Sequence, residues 1–281
     1  MLTARLHDGA PLDVTVRGDG PAVLLPVSTA VIEGETAEQM RAWGADPNVG
    51  HTLATGLAGA GFRVITADYE GHLAQHPKPR TLDAPAVAAD LLAVADAAGA
   101  DRFAYYGYSV HALAGLQLAV RTDRLTALAM GGFPPLDAPY GPMLTVTRAA
   151  HRMALANRDT PPVITEIEPG DWDASEVTHS PEQTEQYVTL YESLRDFDER
   201  AALDRLSVPR LAFAGEKDDI AYGPKWDNAY VAIGEPLRRH RDELVERGWT
   251  VEVIPGADHI SAMHAATVLP ILVPWLTAAT R

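Results

Sequence analysis

The stretch Phe103-Ala104-Tyr105-Tyr106-Gly107-Tyr108-Ser109-Val110-His111-Ala112-Leu113-Ala114-Gly115 decides how the chain is read. Its first half is aromatic and apolar, as a buried strand is. Gly107 allows a sharp turn, and the residues after it are apolar on every side, as a buried helix is. Ser109 sits on the turn between them. A serine there is lifted out of the sheet, and the positive end of the following helix points at whatever lies beside it. Gly-x-Ser inside strand-turn-helix is the pattern of a nucleophile elbow. The plainer reading is a strand ended by Gly107 and a helix capped by Ser109. Two later stretches favour the first reading.

Outward from this stretch, alternating or wholly apolar runs bounded by turn residues predict strands at 2–7, 12–17, 22–25, 62–67, 125–130, 210–215 and 250–254. Helical periodicity predicts helices at 51–60, 84–98, 143–156, 181–203, 236–248 and 261–280, with Asp83 as the cap of the second. The connection 28–47 is long for a βα loop and is expected to shape a site. Strand-helix alternation stops between Phe133 and about Arg200, in a segment with eight prolines. The repeated βα units predict an α/β fold with a mostly parallel twisted sheet flanked by helices. Residues 1–132 and 201–281 are expected to form its core, and 133–200 a helical cap inserted over one end of the sheet.

The 281 residues are enough for one large core plus such an insertion, and 47% of them are hydrophobic, which predicts a packed interior. With no cysteine, disulfides, thiolate chemistry and cysteine-bound metal are excluded. A formal charge of −15 argues against nucleic acid and anionic membrane as partners. The N-terminal residues contain no apolar core of signal-peptide length, and no run reaches the length of a membrane span. A cytoplasmic location is expected, and a homo-oligomer is compatible with the sequence. His72 and His76 have a spacing that binds metal on a helix, but Pro77 and Pro79 argue for a loop and no third ligand stands out. No metal and no cofactor are expected.

In open α/β sheets reactive groups gather at the carboxyl ends of the strands. Three loops there carry complementary chemistry: Ser109, Gly215-Glu216-Lys217-Asp218-Asp219 and Pro255-Gly256-Ala257-Asp258-His259. A serine hydroxyl becomes a nucleophile when an imidazole takes its proton, and a buried carboxylate holds that imidazole in one tautomer. The developing oxyanion needs N–H donors placed in advance.

The order Ser…Asp…His, each at a strand end, resembles the α/β-hydrolase fold superfamily over nearly the whole chain. The motifs that carry the resemblance are Gly107-Tyr108-Ser109, Gly215-Glu216-Lys217-Asp218 and Pro255-Gly256-Ala257-Asp258-His259. Gly61-Phe62-Arg63-Val64-Ile65 with Asp68, Gly71 and His72 adds to it. The resemblance implies the α/β-hydrolase fold, with Ser109 as nucleophile, His259 as general base and Asp218 as the orienting acid; Asp219 and Asp137 are the alternatives for the acid. It implies oxyanion donors at the N–H of Val110 and at one N–H of Val27 or Ser28.

Two positions depart from the family pattern. Pro26-Val27 stands where His-Gly is usual, so the second donor shifts to Val27 or Ser28, with the Ser28 or Thr29 hydroxyl as a further candidate. His111 stands two residues after the nucleophile, where a small residue is usual; either the turn opens or the imidazole points into the pocket, with an ordinarily packed histidine as the plainer reading. Tyr108 and Trp226 are candidates to face a substrate, as are Tyr140 and Trp172 from the inserted segment, with core packing as the equal alternative. The expected function is cofactor-independent cleavage of a carboxylic ester, lactone or thioester of a small molecule through an acyl-enzyme. The alternatives are C–C hydrolysis, lyase or rearrangement chemistry on the same triad, or non-catalytic binding of a small ligand.

Overall fold

A computed structural model describes residues 2–159 and 171–280. Its main sheet has eight strands: β1 (Leu2–Arg5), β2 (Pro11–Arg17), β3 (Ala22–Leu25), β4 (Arg63–Thr66), β5 (Phe103–Tyr108), β6 (Leu125–Gly131), β7 (Arg210–Gly215) and, after the short strands β8 (Asp219–Ala221) and β9 (Tyr230–Ala232), β10 (Trp249–Ile254). Their spatial order is β1-β2-β4-β3-β5-β6-β7-β10. β2 runs antiparallel to β1 and β4, and every other neighbouring pair is parallel.

The elbow strand β5 lies at the centre, and all six of its residues are buried. Alternation along it feeds two cores. Phe103 and Tyr105 join the face packed with the helices Ala84–Ala97 and Val110–Ala119. Ala104, Tyr106 and Tyr108 join the face covered by Leu53 and Leu57 and by Val268, Leu272 and Leu276 of the C-terminal helix Ala265–Ala279. A strand buried on both faces has no polar side to show, which is why the quoted stretch reads as a continuous apolar run.

The expected strands are all present. The expected cap at Asp83 is present too, its side chain accepting from the Ala86 N–H at 2.8 Å. Three expectations change in detail. The 181–203 helix is two helices, Pro181–Glu192 and Glu199–Leu203, because Asp198 caps a new start by accepting from the Ala201 N–H. The 236–248 helix breaks at His240 into Gly234–Arg239 and Arg241–Glu246. The last helix begins at Ala265 after a short 3-10 turn, and Pro270 and Pro274 lie inside it. The long connection 28–47 contains the helix Gly34–Ala42, in which only Ala37 is buried.

Between β6 and β7 the chain leaves the sheet. The helix Tyr140–Ala156 packs on Pro181–Glu192, whose start carries a reciprocal cap between Ser180 and Gln183. Gln183 and Gln186 donate to the carbonyls of Ala74 and Leu73, and the Lys78 N–H donates to Gln186 Oε1. These bonds tie the inserted helices to the helix Tyr69–Gln75, which follows β4 at the same end of the sheet as Ser109.

Candidate active site

Ser109 has φ +54° and ψ −123°, a conformation that costs an L-residue on the order of 1–3 kcal/mol. The turn closes because position 107 is glycine: a Cβ there would stand 2.3 Å from the His111 carbonyl oxygen. The Ser109 N–H donates to the Gly131 carbonyl at 2.8 Å, and its carbonyl accepts from the Ala112 and Leu113 N–H groups. Among the described residues the Val110 N–H has no acceptor, so it is free to point at a ligand.

The other two loops are docked on each other. A Cβ at Gly215 would stand 2.3 Å from the Ala257 carbonyl oxygen, so only glycine lets them approach so closely. The Lys217 N–H donates to that carbonyl at 2.8 Å, and the Gly256 N–H donates to Glu216 Oε2 at 2.8 Å. The result brings His259 Nδ1 to 2.8 Å from Asp218 Oδ1 and His259 Nε2 to 3.1 Å from Ser109 Oγ. A carboxylate only accepts, so Nδ1 carries the proton and Nε2 is left to accept from the serine hydroxyl. The Asp218 side chain is 0% exposed, and its Oδ2 has no partner among the described residues.

The alternative acids lie elsewhere. Asp219 Oδ1 accepts from the Ile233 and Glu235 N–H groups at the start of the helix Gly234–Arg239, and its Oδ2 faces Arg238. Asp137 is paired with Arg239 and His240 on the surface.

Tyr108 lies under the imidazole, with ring centroids 5.2 Å apart, and its hydroxyl donates to the His259 carbonyl at 2.8 Å. Burial, with Asp218 nearby, pushes its phenol well above the ordinary value, so it remains a donor. The Trp172 ring stands edge-on to His259 at 6.2 Å and to Trp43 at 5.0 Å.

A cavity of about 590 Å³ opens in front of Ser109, lined by Pro26, Val27, Ser28, Trp43, Tyr108, Val110, His111, Trp172 and His259 among others. The 28–47 connection builds one wall through Ala30, Ile32, Met40 and Trp43. A second cavity of about 480 Å³ lies under the inserted helices and shares Glu70, Val110 and Trp172 with the first. Trp226 lines this second cavity, with its indole N–H donating to the Asp173 carbonyl.

Of the two proposed second donors, the Val27 N–H is already used: it donates to the Leu25 carbonyl at 2.9 Å across Pro26. The Ser28 N–H has no acceptor among the described residues and is the one left to serve. Thr29 does not line the cavity, and Tyr140 is packed away between Phe133 and Phe197. Both expectations are therefore corrected: the first residue is turned off the cavity wall, and the second is core. His111 settles its own question. The turn stays tight, and the imidazole points into the cavity with Nε2 at 3.5 Å from Glu70 Oε2. That contact holds the Glu70 carboxyl below its usual range. Glu70 and Trp43 are not singled out from the sequence; Glu70 lies in the first turn of the helix just past β4, and Trp43 in the connection after β3, and that position past a strand end is the signal that could have marked them.

The rings of His72 and His76 lie 5.0 Å apart, and no group of three or more histidine or acidic side chains is arranged to hold a metal among the described residues. Nor is any helix there long and apolar enough to cross a membrane.

No protein-family model matches the chain, and no curated protein matches it by sequence. Solved structures do match over its whole length. A thermophilic esterase from Thermogutta terrifontis superposes with a TM-score of 0.64 at 20% identity, covering 100% of this chain and 98% of that one. An esterase from Exiguobacterium antarcticum gives 0.64 at 18% identity, covering 98% and 99%. The enol-lactonase from Burkholderia xenovorans LB400 gives 0.59 at 20% identity, covering 98% and 99%. The chain has the α/β-hydrolase fold.

Proposed function

We propose that the protein is a cofactor-independent serine hydrolase that cleaves a carboxylic ester, lactone or thioester through an acyl-enzyme on Ser109. The observation that carries this reading is the unbroken relay from Asp218 through His259 to Ser109, at 2.8 and 3.1 Å, ending beside the free Val110 N–H. In the first step His259 Nε2 takes the hydroxyl proton as Ser109 Oγ attacks the acyl carbon. The Val110 and Ser28 N–H groups stabilise the oxyanion, each donor being worth about 10²–10³ in rate. His259 returns the proton to the leaving oxygen or sulfur. Water then enters, gives its proton to the same nitrogen and releases the acid. Asp218 keeps the imidazole in the working tautomer and balances its transient charge.

The fold neighbours named as esterases and an enol-lactonase support this choice of bond. The loss of His-Gly at Pro26-Val27 and the His111 imidazole in the cavity are the features that favour C–C, lyase or rearrangement chemistry. The free Ser28 N–H weakens the first of these, because the loop still offers a donor. We assign residues 133–200 the role of a cap that shapes the substrate side of the site. Incubation with a fluorophosphonate probe and a panel of p-nitrophenyl esters tests the reading. The wild type is labelled and turns over esters, and the Ser109→Ala variant does neither while keeping its fold. Unlabelled wild-type protein, or a fully active variant, refutes it.

A further inference from the structure

A third cavity, of about 170 Å³, touches Ser109 and His259 but neither Ser28 nor Val110, so it lies beside the nucleophile and away from the oxyanion donors. Its walls include Phe133 from the turn just past β6, Met143 from the helix Tyr140–Ala156, and Ile220, Tyr222, Val231 and Ile233 from the segment that follows Asp218. Apart from His259, no charged side chain lines it. Ile220 and Val231 are directly opposed across the β8–β9 hairpin, so one side of this short ribbon forms a wall. The ribbon is fixed to the catalytic turn. The Asp218 carbonyl accepts from the Ile233 and Gly234 N–H groups, and Asp219 accepts from Ile233 and Glu235. The wall and the acid of the relay therefore hold a constant relation.

Size and polarity define what fits. An apolar cavity of about 150 Å³ accommodates benzene. This chamber therefore holds a phenyl ring or a chain of about six carbons. A carboxylate or ammonium placed there would lose its hydration without a partner. The two cavities described above are each more than twice as large. The site is thus asymmetric about Ser109.

We propose that the third chamber seats one limb of the ester, a compact uncharged group of phenyl size or about six carbons, and that Ile220 sets its limit. This rests on the serine-hydrolase reading, since the chamber is placed by Ser109. The substrate class is then a neutral ester with one compact apolar limb and one limb free to be larger.

The test is kcat/KM over two ester series, one varying the acid from acetate to decanoate and the other varying the alcohol over the same range. One series rises about fourfold per methylene up to about six carbons and then falls at least about tenfold. The other tolerates the long groups. Ile220→Ala moves the break to longer chains in that same series, and Ile220→Phe moves it to shorter ones. Should the phenylalanine variant fail to fold by circular dichroism, the alanine variant decides alone. Ester turnover with no break in either series, or a break that a folded Ile220 variant leaves in place, overturns the chamber and leaves the hydrolase reading standing. If no ester is turned over, thermal shift with toluene is the readout. A rise in melting temperature for the wild type that Ile220→Ala alters supports the chamber and sinks only the hydrolase reading. No rise sinks both.

Discussion

At the carboxyl edge of the sheet, Asp218, His259 and Ser109 are linked at 2.8 and 3.1 Å. Beside the edge strand β1, Asp90, His7 and Thr81 are linked at 2.9 and 3.2 Å. Each carboxylate is 0% exposed, and each imidazole joins it to a hydroxyl. Three side chains in a row therefore do not distinguish the two places. The surroundings do. Asp90 also accepts from the His7 backbone N–H and from the Tyr69 hydroxyl, so its charge is spread over several donors. Asp218 Oδ2 has no such partner among the described residues, and its charge is left to act on His259. Ser109 has positive φ, the start of a buried helix and an open cavity beside it; Thr81 lies on an exposed turn without positive φ and lines none of the cavities described above. In the proposed reading the first constellation moves a proton, whereas the second holds a hairpin against the helix Ala84–Ala97.

Matched substitutions break or sharpen that contrast. The largest effect is at the hydroxyls. Ser109→Ala lowers kcat on a turned-over ester by about 10⁶, whereas Thr81→Ala leaves it unchanged. Comparable losses at both positions would erase the distinction. Next are the carboxylates. Asp218→Asn allows the wrong imidazole tautomer and lowers kcat by about 10⁴. Asp90→Asn leaves kcat of the folded enzyme unchanged and costs about 3 kcal/mol of stability, read by urea denaturation, because it breaks a buried pair.

The half of this contrast proposed as catalytic is visible in the sequence, and the other half is hidden. Ser109, His259 and an acid near 218 could be read because each follows an apolar strand and the order of the three is informative. Asp218 is preferred to Asp219 on the resemblance alone, since adjacent residues share every local signal; in the structure Asp218 meets His259 while β8 turns Asp219 toward the next helix. Ser28 and Val27 are both candidates for the second donor in the sequence, and what separates them is the Pro26 turn that consumes the Val27 N–H. Ile220 and Val231 lie in three-residue strands, too short to show a period. The helix Gly34–Ala42 buries only Ala37, so it had no apolar stripe to show. His7 and Asp90 are 83 positions apart, and no local pattern announces their meeting.

A smaller effect separates the two tyrosines that serve these pairs. Tyr108 donates to the His259 backbone and Tyr69 to the Asp90 carboxylate. Tyr108→Phe keeps the ring under the imidazole but frees the loop that carries it. We expect kcat to fall about tenfold with KM unchanged, since small misplacements of a reacting group are costly. Tyr69→Phe leaves kcat alone and costs about 1–3 kcal/mol of stability, because a buried carboxylate oxygen loses a donor. A fall in kcat from the second variant would mean that the two pairs communicate.

The smallest effect has opposite signs at the two hydroxyl positions. Glycine tolerates positive φ, so Ser109→Gly relieves the strain of the turn. Against that relief of about 1–3 kcal/mol stands an entropy cost of about 0.5–1 kcal/mol. The inactive variant is therefore expected to be more stable than the wild type by about 1 kcal/mol, visible as a higher melting temperature. At Thr81 no positive φ is present to relieve. Thr81→Gly gives up the contact to His7 Nε2 and adds chain entropy, so it melts lower. A Ser109→Gly variant that melts below the wild type would mean that the elbow stores no strain, and the backbone contrast between the two sites would then reduce to the cavity and the free N–H.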